Sequence, residues 1–497
     1  MPYATTVKKF QPIFSDIFGV STALLCAAVL VVGLVPALAF GQEEAAKEYS
    51  NGGLYEGAFV DGKQHGRGHY TLPNGYVYDG EWFEGEIRGL GIAQFPGGSV
   101  YEGNFSKGRP NGFGKITFAD GGTYEGDWVD GEITGNGVVE YANGVTFQGG
   151  LKNALHHGVG TMQSPNGYVY AGEWQDGAKH GMGKINYPDG AIYEGLLSEG
   201  LRAGQGTLTM ADGLVYTGTW QNDQFQGEGV LTQANGDVYT GTFVAGAREG
   251  EGRVAYANGD AFVGTFKADN REGLGTFTGS EGYRYTGAWR AGKIEGKGEI
   301  TYPDGSVYTG GFLDGLPHGN GSIKYSDGGS YDGGWSKGVI QGEGRAAQSN
   351  GLIYEGGFVD AQYDGTGKMT YPSGYEYIGG WKAGKRSGDG TVKYADGSVY
   401  TGEFLDNKRA GIGEITMPDG FKYFGSWADG VMHGQGVTTY ANGDVYTGNF
   451  ASGKRHGKGT MAFASGQEQA GEWTNGAFTP KDVAPATDTP TEAPASE

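Results

Sequence analysis

A 23-residue period runs through this chain without one insertion or deletion, and it constrains the fold more than any other feature. Tyr55-Glu56-Gly57-Ala58-Phe59 recurs as Tyr78-Asp79-Gly80-Glu81-Trp82, then as Tyr101-Glu102-Gly103-Asn104-Phe105. The spacing holds from Tyr55 to Gln469, which makes eighteen full repeats and a terminal half-repeat ending near Gly476. A period of this length marks architectures in which each unit buries its apolar face against the next. Counting the first aromatic as offset 0, glycine fills offset 2 in all nineteen units and offsets 11, 13 and 20 in all eighteen full repeats. With fourteen more at offset 7, these positions hold 87 of the 101 glycines. That density excludes long helices, because each interior glycine costs roughly 1 kcal/mol relative to alanine. Collagen is excluded by the low proline count of 16 and the absence of a three-residue glycine period. A disordered chain is excluded by 9 Trp, 32 Tyr and 24 Phe.

Each repeat reads as a β-hairpin. Offsets 0, 2 and 4 alternate aromatic, glycine, aromatic, which places them on one face of a strand. The return strand puts glycine, an aliphatic and usually an aromatic on one face, as in Gly114, Ile116 and Phe118. Offset 19 is Asp or Asn in fourteen of eighteen repeats and is always followed by glycine, as in Asn74-Gly75 and Asp189-Gly190. Such pairs between strands predict a hairpin turn with both residues at positive φ. At offset 7, Asp223, Asp269 and Asn407 tolerate the same conformation, whereas Ala154 and Ala361 predict turns of a different kind.

The pattern resembles the MORN repeat family, whose unit reads Y-x-G-x-[WF]-x-x-G-x-x-x-G-x-G. The resemblance implies an all-β fold in which tandem β-hairpins form one long, elongated, twisted antiparallel sheet with an aromatic-lined face. A second period lies over the first, because all nine tryptophans occupy offset 4. Trp82, Trp128, Trp174 and Trp220 are 46 apart, as are Trp289, Trp335, Trp381, Trp427 and Trp473. The phase slips between the two sets, with Phe266 where tryptophan is due. Repeat 262–284 also begins with Phe262, has Gly279 where an aromatic is usual, and has Glu281 at the turn. Weaker stacking there predicts a joint in a repeat rod spanning 53–476.

Residues 1–39 carry Lys8 and Lys9, an apolar run from Ile17 to Phe40, and Ala37-Leu38-Ala39. This is the order of a secretory signal peptide cleaved after Ala39, or, at 24 apolar residues, of an uncleaved membrane anchor. Both readings place the body outside the cytoplasm, in the periplasm or secreted. The only cysteine, Cys26, lies in that run, so a cleaved protein has no disulfide or thiol chemistry. Residues 40–52 read as a linker, and 477–497 as a disordered acidic tail rich in Pro, Thr and Ala. A net charge of −21 disfavours nucleic acid and anionic lipid partners.

Each candidate for chemistry meets a simpler explanation. Gly448 to Arg455, Gly379 to Arg386 and Gly57 to Gln64 mimic a phosphate loop, but none has Ser or Thr after the lysine. His65, His157, His180, His318, His433 and His456 share offset 10, where strand spacing keeps them about 10 Å apart, too far to share a zinc ion. Asp-Gly turns lack the nonapeptide spacing of calcium-binding repeats, and no nucleophile elbow occurs. The expectation is therefore no enzyme, no cofactor and no metal. The aromatic face, with its nine tryptophans, reads either as a packing ladder or as a ligand groove. Two functions remain: a non-catalytic extracytoplasmic scaffold that binds proteins, with self-association one option, or a module that binds carbohydrate or envelope polymer through exposed aromatics.

Overall fold

The computed structural model describes residues 43–479; the leader with Ala39, and the tail from Pro480, lie outside that range. No helix occurs among the described residues, whose 39 strands form an antiparallel sheet that does not close into a barrel. The residues group into two compact units, one running to Ala119 together with Val129–Gly131, the other Asp120–Trp128 together with Glu132 onward. The same hairpin recurs in both. A seven-residue strand such as Leu54–Val60 pairs with the nine-residue strand that follows, here Lys63–Thr71.

The two turns of each repeat differ in kind. The first is a two-residue turn in which Asp61 (φ 49°) and Gly62 (φ 74°) are both left-handed, the combination whose twist matches that of the flanking strands. Ala154 (φ 61°) and Ala361 (φ 61°) adopt this same turn, contrary to the expectation that theirs would differ. Their amides still donate to the neighbouring hairpin, Ala154 to Ile133 O at 2.9 Å and Ala361 to Ile340 O at 3.0 Å. Stacked hairpins therefore impose the conformation on a residue that disfavours it. The second turn is a three-residue loop. Leu72 N donates to Tyr76 O at 2.9 Å, and Gly75 N to Leu72 O at 3.0 Å. Only Gly75 of this loop has positive φ, at 94°. Asn74 serves differently from expectation: its Oδ1 accepts the Tyr76 amide at 3.0 Å. Asp or Asn recurs at this offset for its side-chain acceptor rather than its tolerance of positive φ.

Glycines at offsets 2 and 13 face each other across the hairpin, as Gly80 does Gly91, and the Tyr78 ring lies across both. A methyl group at Gly91 would sit 2.4 Å from that ring. The ladder shifts register between Gly80 and Trp82, a bulge that recurs in the other hairpins. The carbonyl at offset 3, beside the bulge, accepts the Tyr hydroxyl of its own repeat. All sixteen tyrosines at offset 0 make this bond at 2.7–3.1 Å, for example Tyr78 to Glu81 and Tyr308 to Gly311. Burial pushes Tyr101 and Tyr216 up to about 12, so these hydroxyls stay protonated donors at any physiological pH. Rings meet edge to face along the sheet, with Tyr78 5.7 Å from Trp82 and 5.0 Å from Phe105.

Two boundaries differ from the sequence reading. Within the expected linker, Glu43–Glu48 forms a strand paired to Leu54–Val60. Asn51-Gly52 lies 23 residues before Asn74-Gly75 and makes the same turn, with Tyr49 N donating to Gly53 O at 2.8 Å. The repeat therefore begins half a unit early. At the other end, Ala477–Thr479 adds a short strand where the tail was expected, and Phe478 packs 5.4 Å from Trp473. At the expected joint, the ladders of Ala261–Lys267, Asn270–Thr278 and Arg284–Arg290 continue in the common register. The stacking persists there, with Phe262 5.3 Å from Phe266 and 5.2 Å from Trp289, and the Arg271 guanidinium lies 4.8 Å from the Phe262 ring and 4.7 Å from Trp289.

Candidate functional site

Strand alternation divides the side chains into a ring face and an open face. All nine tryptophans lie on the ring face and are 2–8% exposed. Eight of them donate their indole N–H to the carbonyl at offset 13 of the preceding repeat, as Trp335 does to Gly321 O at 3.0 Å and Trp427 to Gly413 O at 3.0 Å. The indole thereby ties one repeat to the one before it. These rings form a packing ladder and offer no stacking platform to a sugar. Among the described residues no three His, Cys, Asp or Glu side chains are placed to share a metal ion.

The sequence reading missed offset 9. Its residue types vary without pattern, so only the tertiary structure shows that each covers a buried ring. Arg202, Arg409 and Arg455 lie 4.1–4.2 Å over Trp220, Trp427 and Trp473. Each also donates to a turn carbonyl of the next repeat, Arg455 to Gly476 O at 2.8 Å. Phe225 and Tyr363 do the same work by stacking, 3.7 Å from Tyr216 and 3.9 Å from Tyr354. His156 stacks 3.8 Å from Phe147, and its Nε2 lies 2.9 Å from Tyr141 Oη. Burial holds this imidazole below its ordinary value, favouring the neutral ring.

Two of the open grooves among the described residues differ in lining. On the ring face of the second unit, Ala346 stands where most repeats carry a larger side chain, and a groove of about 670 Å³ opens between Tyr325, Phe358 and Tyr363. The larger one, about 870 Å³, is a trough on the open face of the first unit. Its floor is the backbone of Gly57, Gly68, Gly80, Gly91 and Gly103. Glu44, Glu56, Asp79 and Glu102 line it with Arg67, and His69 Nδ1 lies 3.0 Å from Asp79 Oδ1. Leu90 and Ile92 stand in it 58% and 46% exposed, and Phe113 of the next repeat is 57% exposed. Apolar side chains also stand open elsewhere on the sheet, as Val159, Leu274 and Leu405 do.

The 23-residue unit is matched eighteen times by the model of the family described as MORN repeat, first over 55–75 and last over 446–468. This chain belongs to the MORN repeat family. Likeness to solved structures outside that repeat is slight. The TCP domain of SAS-4 from Drosophila melanogaster, solved with a proline-rich motif of Ana2, is 14% identical, with 44% of this chain and 99% of that one covered at a TM-score of 0.20. The TCP10 domain of CPAP from Danio rerio is also 14% identical, covering 45% and 94% at a TM-score of 0.17. A streptogramin B lyase is 10% identical, covering 59% and 90% at 0.11. Scores this low carry no argument about function. No curated protein matches the chain. The MORN repeats here are thus stacked hairpins whose repeated positions are used for packing, and whose variable open-face positions are free to differ.

Proposed function

We propose that this MORN repeat protein is a non-catalytic, extracytoplasmic scaffold that binds other proteins. The observation that carries the reading is the division of labour between the faces: the rings are buried against each other, while Leu90, Ile92 and Phe113 stand open on the other side. Residues 1–39 deliver the body across a membrane in this reading, whether removed after Ala39 or kept as an anchor. The acidic balance directs it away from nucleic acid and anionic lipid, and no cofactor is required.

Photo-crosslinking from the intact protein in its own cells tests this. A photoreactive residue at position 90 or 113 should yield discrete protein adducts in the extracytoplasmic fraction, and one at the turn position 360 should not. Adducts spread equally over all three positions, or full-length uncleaved protein soluble in the cytoplasm, would overturn it. A carbohydrate-binding reading has one observation in its favour, the tyrosine-lined groove at Ala346. It predicts glycan-array binding that Tyr325→Ala abolishes.

A further inference from the structure

The trough of the first unit has a shape and chemistry specific enough to name its occupant. It crosses six strands, from Glu43–Glu48 to Val100–Ser106, which is about 24 Å along the ladder at the usual strand spacing. Four carboxylates line it against one guanidinium, and His69 is occupied by Asp79. Among the described contacts, Glu44, Glu56 and Glu102 form no ion pair. The repeat also sets their spacing. Glu56, Asp79 and Glu102 all occupy offset 1, so two strand separations, about 10 Å, divide each from the next. The glycine floor lets a backbone approach closely, and the open Leu90 and Ile92 supply apolar contact beside the carboxylates.

We propose that this trough binds an extended, basic segment of a partner protein, carrying Lys or Arg at every third residue with aliphatic side chains between. In the left-handed polyproline II form of an extended chain, three residues make one turn at about 3.1 Å each, so every third side chain faces the same way and meets a carboxylate of the 10 Å row. A helix advances about 1.5 Å per residue and would meet the same row only with like charges at a seven-residue repeat. About seven or eight residues fill the trough. Electrostatic complementarity sets the partner's sign and speeds encounter, while the apolar contacts fix the register. The inference rests on the protein-binding reading above and sharpens it.

The test is fluorescence anisotropy of a labelled 15-residue peptide of five Lys-Val-Thr units titrated with the intact protein. Saturable binding is expected, weakening at least tenfold in Glu56→Lys/Glu102→Lys and severalfold in Leu90→Ser. Glu199→Lys/Asp360→Lys makes the same charge change on remote turns and should stay within twofold of wild type. Lys occurs naturally at that turn offset, as Lys107 and Lys337, so these variants retain the fold. Replacing every Lys of the peptide by Glu should abolish binding. Equal weakening by the trough and remote pairs would show attraction to net charge alone and overturn the proposal, as would absence of saturable binding. If the peptide fails while crosslinking from position 113 still captures discrete proteins, the occupant is wrong and the scaffold reading stands.

Discussion

The strand Val77–Phe83 carries both faces of this protein in seven residues. Tyr78, Gly80 and Trp82 point one way, and the two rings are 0% and 7% exposed. Asp79 and Glu81 point the other way, one toward a histidine and the other accepting the Leu90 amide at 3.2 Å. On the ring face the offset-0 tyrosine hydroxyls and the indole N–H groups are bonded and the rings pack edge to face, so a change propagates into neighbouring rings. On the open face a residue meets solvent, and its type varies freely between repeats. Glycine and ring positions recur because packing requires them, while side chains of the open face differ from repeat to repeat.

The comparison breaks most completely at a ring-face glycine. A side chain at Gly183 would begin 2.4 Å from the Tyr170 ring, so Gly183→Val should cost more than about 3 kcal/mol locally. Gly181→Val is expected to be damaging as well, since Gly181 holds φ 63° beside the bulge. Hydrogen exchange should show protection lost over 169–186 and its neighbours but retained at 423–462, because coupling runs between adjacent repeats. Loss of protection throughout would contradict that. Next in size is Tyr308→Phe, which strands the Gly311 carbonyl now bonded at 2.9 Å; a loss of about 1–2 kcal/mol in denaturant titration is expected. The reverse change, Phe262→Tyr, should recover about 1 kcal/mol where the hydroxyl is naturally missing.

A smaller effect belongs to the turns. Ala154→Gly relieves a left-handed alanine at φ 61° and should raise stability by about 1 kcal/mol, whereas Gly177→Ala at the equivalent turn should lower it similarly. The smallest is the pH response of His156. Its value is lowered by burial, so the unfolded chain binds the proton more tightly than the folded one. Stability from this site is present above the unfolded value of about 6.5 and is lost as pH falls below it. Exchange measured at pH 7.5 and pH 5 should reveal opening confined to the hairpins around Phe147 and Trp174, absent in His156→Phe.

The hairpin, its period and its ring face were legible in the residues, because glycine at a turn and aromatics at alternate positions act within a dozen residues of chain. Less legible was the purpose of each glycine. Offsets 11 and 13 look alike in sequence, yet Gly66 supplies a positive φ of 73° and Gly68 makes room for the Tyr55 ring. The first half-repeat was hidden because Ala45 and Lys47 replace its glycine and aromatic, leaving only Asn51-Gly52 in phase. The nine tryptophans were visible as a set, but an indole reads the same whether it faces solvent or a neighbouring ring.

What the residues determined alone is therefore the local geometry: two turns per unit and an alternation that puts aromatics and glycine on one face. The tertiary structure decided which aromatics are spent on packing, that variable offset-9 residues lid the rings, and that carboxylates 23 residues apart share one trough. The reason is physical. Turn and strand preferences are properties of a residue and its chain neighbours, whereas burial and charge clustering depend on what the next hairpin lays alongside, two strands away in space.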